Sequence, residues 1–153
     1  MTASDQTAET ILRLSRSLLG VVARSLTEVL DQVTLPQFRV LILLAADGPC
    51  RMSDLADQLG AQPSTFTRLI ARLESGGWVV RSHSAEDRRE VLVTSTPAAR
   101  QLVDEVTERR RRQIAAILSR LDPAQHEQLQ QAFDLFASAA DEPAIEELLI
   151  LGL

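Results

Sequence analysis

Only one stretch of this chain reads as β-structure, and that restricts the fold more than any other feature. WVVRSHSAEDRREVLVT, residues 78–94, holds two short Val-rich arms, Trp78–Ser82 and Glu90–Thr94, the pattern of two strands joined by a connection. With a single hairpin available, the fold class is mainly α with a small β-hairpin. The connection is itself unusual. Tight hairpins favour Asn-Gly or Asp-Gly because their two-residue turns need φ > 0, yet no glycine lies here, and Glu86, Asp87, Arg88, Arg89 and Glu90 crowd the tip. A charge run of this kind is either a solvated, salt-bridged loop or a basic finger reaching for an anionic partner.

The remaining chain follows helical spacing. Ile11, Leu14, Leu18, Val22, Leu26 and Val29 mark one face of a long helix over roughly residues 5–32. Leu12, Leu19 and Leu30 widen that stripe beyond the need of a monomer's surface helix, which predicts contact with a partner chain. PQFRVLILLAAD predicts a second helix, opening near Pro36 and stopping at Asp47-Gly48-Pro49; SDLADQLG predicts a short third, with Ser53 as N-cap and Gly60 at its end. The fourth runs from Pro63 to Gly76-Gly77 and turns Phe66, Leu69, Ile70 and Leu73 inward. Its outer face is polar and basic: Ser64, Arg68 and Ala71 lie opposite the apolar side, Thr65 and Thr67 on the shoulders, and Arg72 one turn beyond Arg68. Two short helices around a Gly-containing turn, the second with such a face, match a helix-turn-helix suited to the major groove. A long helix follows Pro97. A last one follows Asp122-Pro123 with Leu129, Phe133 and Phe136 inside, before the apolar tail EPAIEELLILGL.

At 153 residues one folded unit is expected. No apolar run approaches the ~20 residues of a membrane span, and the start MTASDQTAET lacks the order of a secretory signal, so a cytoplasmic location without a membrane partner is expected. One cysteine and two histidines leave no disulfide and no metal cluster at ligand spacing. The net charge of −5 conceals a gradient: residues 51–112 hold eleven Arg against nine acids, whereas residues 113–153 hold one Arg against seven. No nucleophile elbow, Ser-His-acid set or glycine-rich phosphate loop is present, so neither an enzyme nor a cofactor is expected.

Residues 55–94 closely resemble the winged-helix core of the multiple antibiotic resistance regulator (MarR) family. The resemblance rests on Leu55-Ala56, then Ser64-Thr65-Phe66-Thr67-Arg68-Leu69-Ile70 with Leu73-Glu74, then Gly77-Trp78-Val79-Val80-Arg81, then Asp87-Arg88-Arg89, and the order of flanking helices extends it over nearly the whole chain. It implies a bacterial DNA-binding regulator, a repressor, acting as a homodimer on a pseudo-palindromic operator in double-stranded DNA. Residues 1–34 and 97–153 would form a helical dimerisation region and residues 35–96 a winged helix-turn-helix, the two making one intertwined unit. Ser64, Thr65, Thr67, Arg68 and Arg72 would face the major groove. On the wing Arg89 would enter the minor groove, Asp87 orient an arginine by a charge-assisted hydrogen bond and Arg88 touch phosphate. A small aromatic or phenolic effector would release the DNA. Two departures stand out: Gln62 replaces the usual Ser cap before the recognition helix, and VTSTPAAR lacks the glycine that follows the second strand, which predicts a differently tilted join to the fifth helix.

Several features have alternative readings. ERRRR, residues 108–112, spreads around a helix and so suits pairing with Glu105 and Glu108 better than one basic surface. Cys50 would make a thiol-based redox-sensing regulator if its pKa were lowered, and otherwise is a partly buried loop residue. His83 on the wing and His126 on the last helix read as surface residues. A different class of protein, a winged-helix interaction module without DNA binding, should have lost the polar and basic outer residues that this chain keeps.

Overall fold

The computed structural model describes residues 2–140, so the apolar tail lies outside the described residues. Helix α1 spans Ala3–Leu26 and begins with a capping box between Thr2 and Asp5. It is shorter than its periodicity predicts. Residues 27–32 continue as turns, with hydrogen bonds of both i−3 and i−4 type, such as Gln32 N to Val29 O at 2.9 Å and Val33 N to Val29 O at 3.0 Å. Val29 and Val33 are buried alongside Leu26, and the chain must then become extended at Thr34. Packing these valines while preparing that exit prevails over helical regularity.

Helix α2, Leu35–Asp47, is capped by Thr34 and Gln37 and closed by Gly48 at φ 77°. It forms the centre of the core: Phe38, Val40, Leu41, Leu43 and Leu44 are all buried. Strand β1, Cys50–Arg51, has no counterpart among the sequence expectations; two residues carry no readable period. Helix α3, Met52–Gln58, then starts directly from the strand with Arg51 as its N-cap and no side-chain cap bond. Ser53 is therefore inside the helix, not its cap, and its hydroxyl meets Asp54 Oδ1 at 3.3 Å. The strand pairing of Arg51 sets the helix start two residues earlier than the capping pattern suggests.

Helix α4 occupies Pro63–Ser75, as expected, with Phe66, Ile70 and Leu73 buried. Strands β2, Val79–His83, and β3, Val91–Ser95, pair antiparallel from Val79↔Ser95 to His83↔Val91, each one residue later than the expected arms. β1 joins the far side of β3, giving the order β1-β3-β2. Thr96 makes the join to helix α5, Pro97–Leu118. Its hydroxyl donates to the Gly77 carbonyl at 2.8 Å and accepts from Ala99 N at 3.2 Å, a two-way anchor where the missing glycine predicted a changed junction.

Helix α6, Pro123–Ala139, opens with a capping box between Asp122 and Gln125 but buries no residue. Leu129 is half-buried, whereas Phe133 and Phe136 are exposed, the latter by 51%, and Leu135 is exposed by 74%. Among the described residues the expected inner face of this helix is thus uncovered, because no other described element packs along it. The outer half of α1 is similar: Leu12, Leu18 and Leu19 are exposed, Leu18 despite its place in the predicted inner stripe. Among the described residues no helix is long and apolar enough to cross a membrane.

Candidate nucleic-acid interface

Helix α4 owes its orientation to the three buried side chains on its inner face, which set Ser64, Thr65, Thr67, Arg68 and Arg72 outward, all exposed. Gln62 supplies no side-chain cap, whereas α1, α2, α5 and α6 are each capped by a Thr or Asp. The first-turn N–H groups of α4 are consequently left without a side-chain acceptor, at the positive end of the helix dipole. Thr67 donates its hydroxyl proton to the Pro63 carbonyl at 2.8 Å, so outward it offers acceptor lone pairs and a methyl group. At the far end Gly76 allows the backbone to pass Trp78, whose Cδ1 would lie 2.8 Å from an added Cβ.

The hairpin tip is a built loop, not a loose one. Ser84 Oγ accepts from Glu86 N at 3.2 Å, Ser84 N donates to the Glu90 carbonyl at 3.0 Å, and Glu90 N donates to the Asp87 carbonyl at 3.0 Å. Asp87 Oδ1 accepts from the backbone N–H of Arg89 at 2.9 Å. The charge-assisted bond expected between Asp87 and an arginine is thus made to the backbone N–H of Arg89 and not to a guanidinium. An Asp two residues before the N–H it caps closes an Asx turn, and that local bond competes successfully with a longer reach. Arg88 and Arg89 are left exposed at the tip.

Seven arginines occur between residues 51 and 100, and the structure divides them. Arg51 pairs with Glu90 at 3.0 Å, Arg81 with Glu74 at 2.5 Å, and Arg100 donates to the Ser95 carbonyl at 2.7 Å. Arg68, Arg72, Arg88 and Arg89 form no such bond with any described residue, and all four stand on the outer face of α4 or the hairpin tip. Sequence reading did not single out Glu74, Arg51 or Arg81 as paired; the Glu-to-Arg spacing across the α4–β2 corner was its only trace. The Arg81 guanidinium holds the Glu74 carboxyl below its ordinary pKa, chiefly by hydrogen bonding, and Glu74 in turn raises that of Arg81.

Outside this region the basic run behaves as its spacing suggests. Arg109 meets Glu28 at 2.5 Å and Glu105 at 3.7 Å, Arg111 pairs with Glu108, and Arg110 reaches the buried Ser25 hydroxyl at 3.4 Å. Burial lowers the Arg110 pKa. Cys50 lies in β1, half-buried, with its thiol donating to the Gly48 carbonyl at 3.4 Å. Burial first, then Asp47 and Asp54, push its pKa up, opposite to what a reactive thiolate needs. Arg51, its one neighbouring cation in sequence, is turned to Glu90. His83 is exposed on β2, and His126 Nε2 lies 2.7 Å from the Leu118 carbonyl, joining the ends of α5 and α6.

The sequence pattern of the MarR family matches residues 33–91. The HTH-type transcriptional regulator YfiV of Bacillus subtilis is 34% identical over 109 residues, covering 71% of this chain and 68% of its own. The HTH-type transcriptional repressor MdtR of the same organism is 27% identical over 149 residues, 96% of this chain and 94% of its own. The solved structure of RV1404 from Mycobacterium tuberculosis superposes with a TM-score of 0.78 at 35% identity, over 93% of this chain and 97% of that one.

Proposed function

The chain belongs to the MarR family of transcriptional regulators, and we propose that it represses transcription as a homodimer bound to a pseudo-palindromic operator in double-stranded DNA. The observation that carries this reading is the division of arginines: those that brace the fold are paired, and those on α4 and the hairpin tip are exposed and free to meet phosphates and base edges. Residues 1–34 and 97–153 supply the dimer region, and residues 35–96 the winged helix-turn-helix. The uncovered apolar faces of α1 and α6 support association. Pairing would set two α4 helices about 34–36 Å apart, one turn of DNA. The sign of regulation follows the name of MdtR. A small aromatic or phenolic effector, carried over from the family likeness, would shift the spacing of the two reading heads. The redox alternative through Cys50 gains nothing from a thiol whose pKa is raised.

The test is selection of bound duplexes from a genomic pool, followed by comparison of wild type with Arg68→Ala. Loss of about 1–3 kcal/mol on the selected duplex alone is the expected mark of a base contact. A phosphate contact would instead weaken all duplexes alike and lower the salt slope by about one. Unchanged affinity in a folded Arg68→Ala protein would overturn the assignment of α4 as the reading helix.

A further inference from the structure

We propose that the Glu74–Arg81 pair positions the wing, acting with Arg51–Glu90 as one of two straps that tie the hairpin to the helix-turn-helix. This rests on the DNA-binding reading above and adds to it the residues that aim the wing. Each strap joins a different helix to a different side of the hairpin. Glu74 stands in the last turn of α4 and grips β2, while Arg51 is the N-cap of α3 and grips Glu90 at the end of the tip loop.

The need for straps follows from burial. On β2 only Val79 is buried; Val80 to His83 are exposed, so no apolar contact fixes that strand beyond its first residue. On the other side β1 reaches only as far as Leu92. The tip loop holds its own shape but is cantilevered from this base. Arg81 is the register partner of the buried Val93. It presents three N–H groups to one carboxylate: Nε at 2.8 Å, a terminal nitrogen at 2.5 Å, and its backbone N at 3.4 Å. Three donors on one acceptor group restrict both the direction and the roll of the strand. Exposed ion pairs contribute little stability, so the consequence of this one is geometric. From Arg81 to Ser84, three residues at about 3.3 Å each place the start of the tip loop roughly 10 Å beyond the strap. A small rotation at the base thus becomes a larger displacement of Arg88 and Arg89.

The experiment uses the full chain and a duplex recovered by wild type from a random-sequence pool, synthesised with A·T-rich and with G·C-rich flanks. A narrow A·T-rich minor groove concentrates negative potential, so an arginine aimed into it gives a flank preference. Glu74→Gln keeps the shape and removes the charge; it is expected to reduce that preference by roughly threefold, the scale of an exposed pair's coupling. The same change in an Arg89→Ala background should leave the preference where Arg89→Ala put it. The reciprocal pair Glu74→Arg with Arg81→Glu should restore it. Hydrogen exchange of the free protein adds a readout independent of DNA: peptides covering residues 81–91 should exchange faster in Glu74→Gln while those of α2 do not. A wild type that shows the preference while Glu74→Gln retains it overturns the strap alone. So does an affinity loss equal on both flanks and undiminished by Arg89→Ala. A wild type that binds both duplexes alike overturns the minor-groove reading, and with it the role assigned to Glu74.

Discussion

Asp87 illustrates how much one acceptor can decide. Its Oδ1 receives the Arg89 N–H at 2.9 Å, and its carbonyl receives Glu90 N, so the residue shapes the corner from which Arg89 projects. An amide oxygen can accept the same bond, but a methyl group cannot. Asp87→Asn is therefore expected to bind A·T-flanked duplexes about as wild type does, and Asp87→Ala to bind them more weakly by about 0.5–1.5 kcal/mol, the net scale of one hydrogen bond. Binding constants for both variants check this; Asn behaving like Ala would mean that the negative charge, not the turn, is what matters. At this scale the sequence was legible where residue type and helical phase suffice. Ser64, Thr65, Thr67, Arg68 and Arg72 do face outward. It was not legible where a side chain chooses between partners: Asp87 takes a backbone N–H in place of a guanidinium, and Ser53 turns to Asp54 in place of capping α3.

Among the elements, α4 and α5 begin where proline and the following apolar period place them, since Pro63 and Pro97 both occupy first-turn positions. β1 escaped detection because two residues pair only when β3 is already beside them, a tertiary fact with no local signature. The far end of α1 escaped for a related reason: Val29 keeps its helical phase in sequence, while the core it enters demands a tighter coil. Thr96 ties the turn between α4 and β2 to the start of α5 through one hydroxyl, reaching back to the Gly77 carbonyl and forward to Ala99 N. Thr96→Ala should cost about 1–2 kcal/mol, the upper range for a lost N-cap, while Thr96→Ser should recover most of it. Urea unfolding measures both. Equal loss for Ser and Ala would assign the effect to the methyl group's packing and not to the hydroxyl.

At the scale of the molecule, the buried cluster unites the end of α1 with α2, α3, α4, the sheet and the first half of α5, and stops there. Beyond it Ile114, Ile117, Leu135 and Phe136 stand in the open together with Leu12 and Leu19. Under the proposed dimer these residues are covered by the second chain, and stability then depends on protomer concentration. Leu135→Asp and Phe136→Asp are expected to shift sedimentation toward the monomer at micromolar concentration and to lower the urea midpoint; a wild type that sediments as a stable folded monomer there would contradict the dimer. The uncovered face of α6 then bears on how the regulator senses its own abundance. While monomers predominate, the concentration of paired heads grows as the square of the chain concentration, so halving the number of chains in a cell leaves about a quarter of the binding-competent form. A gene controlled by such a protein would respond to small changes in regulator copy number more steeply than one controlled by a single-chain repressor.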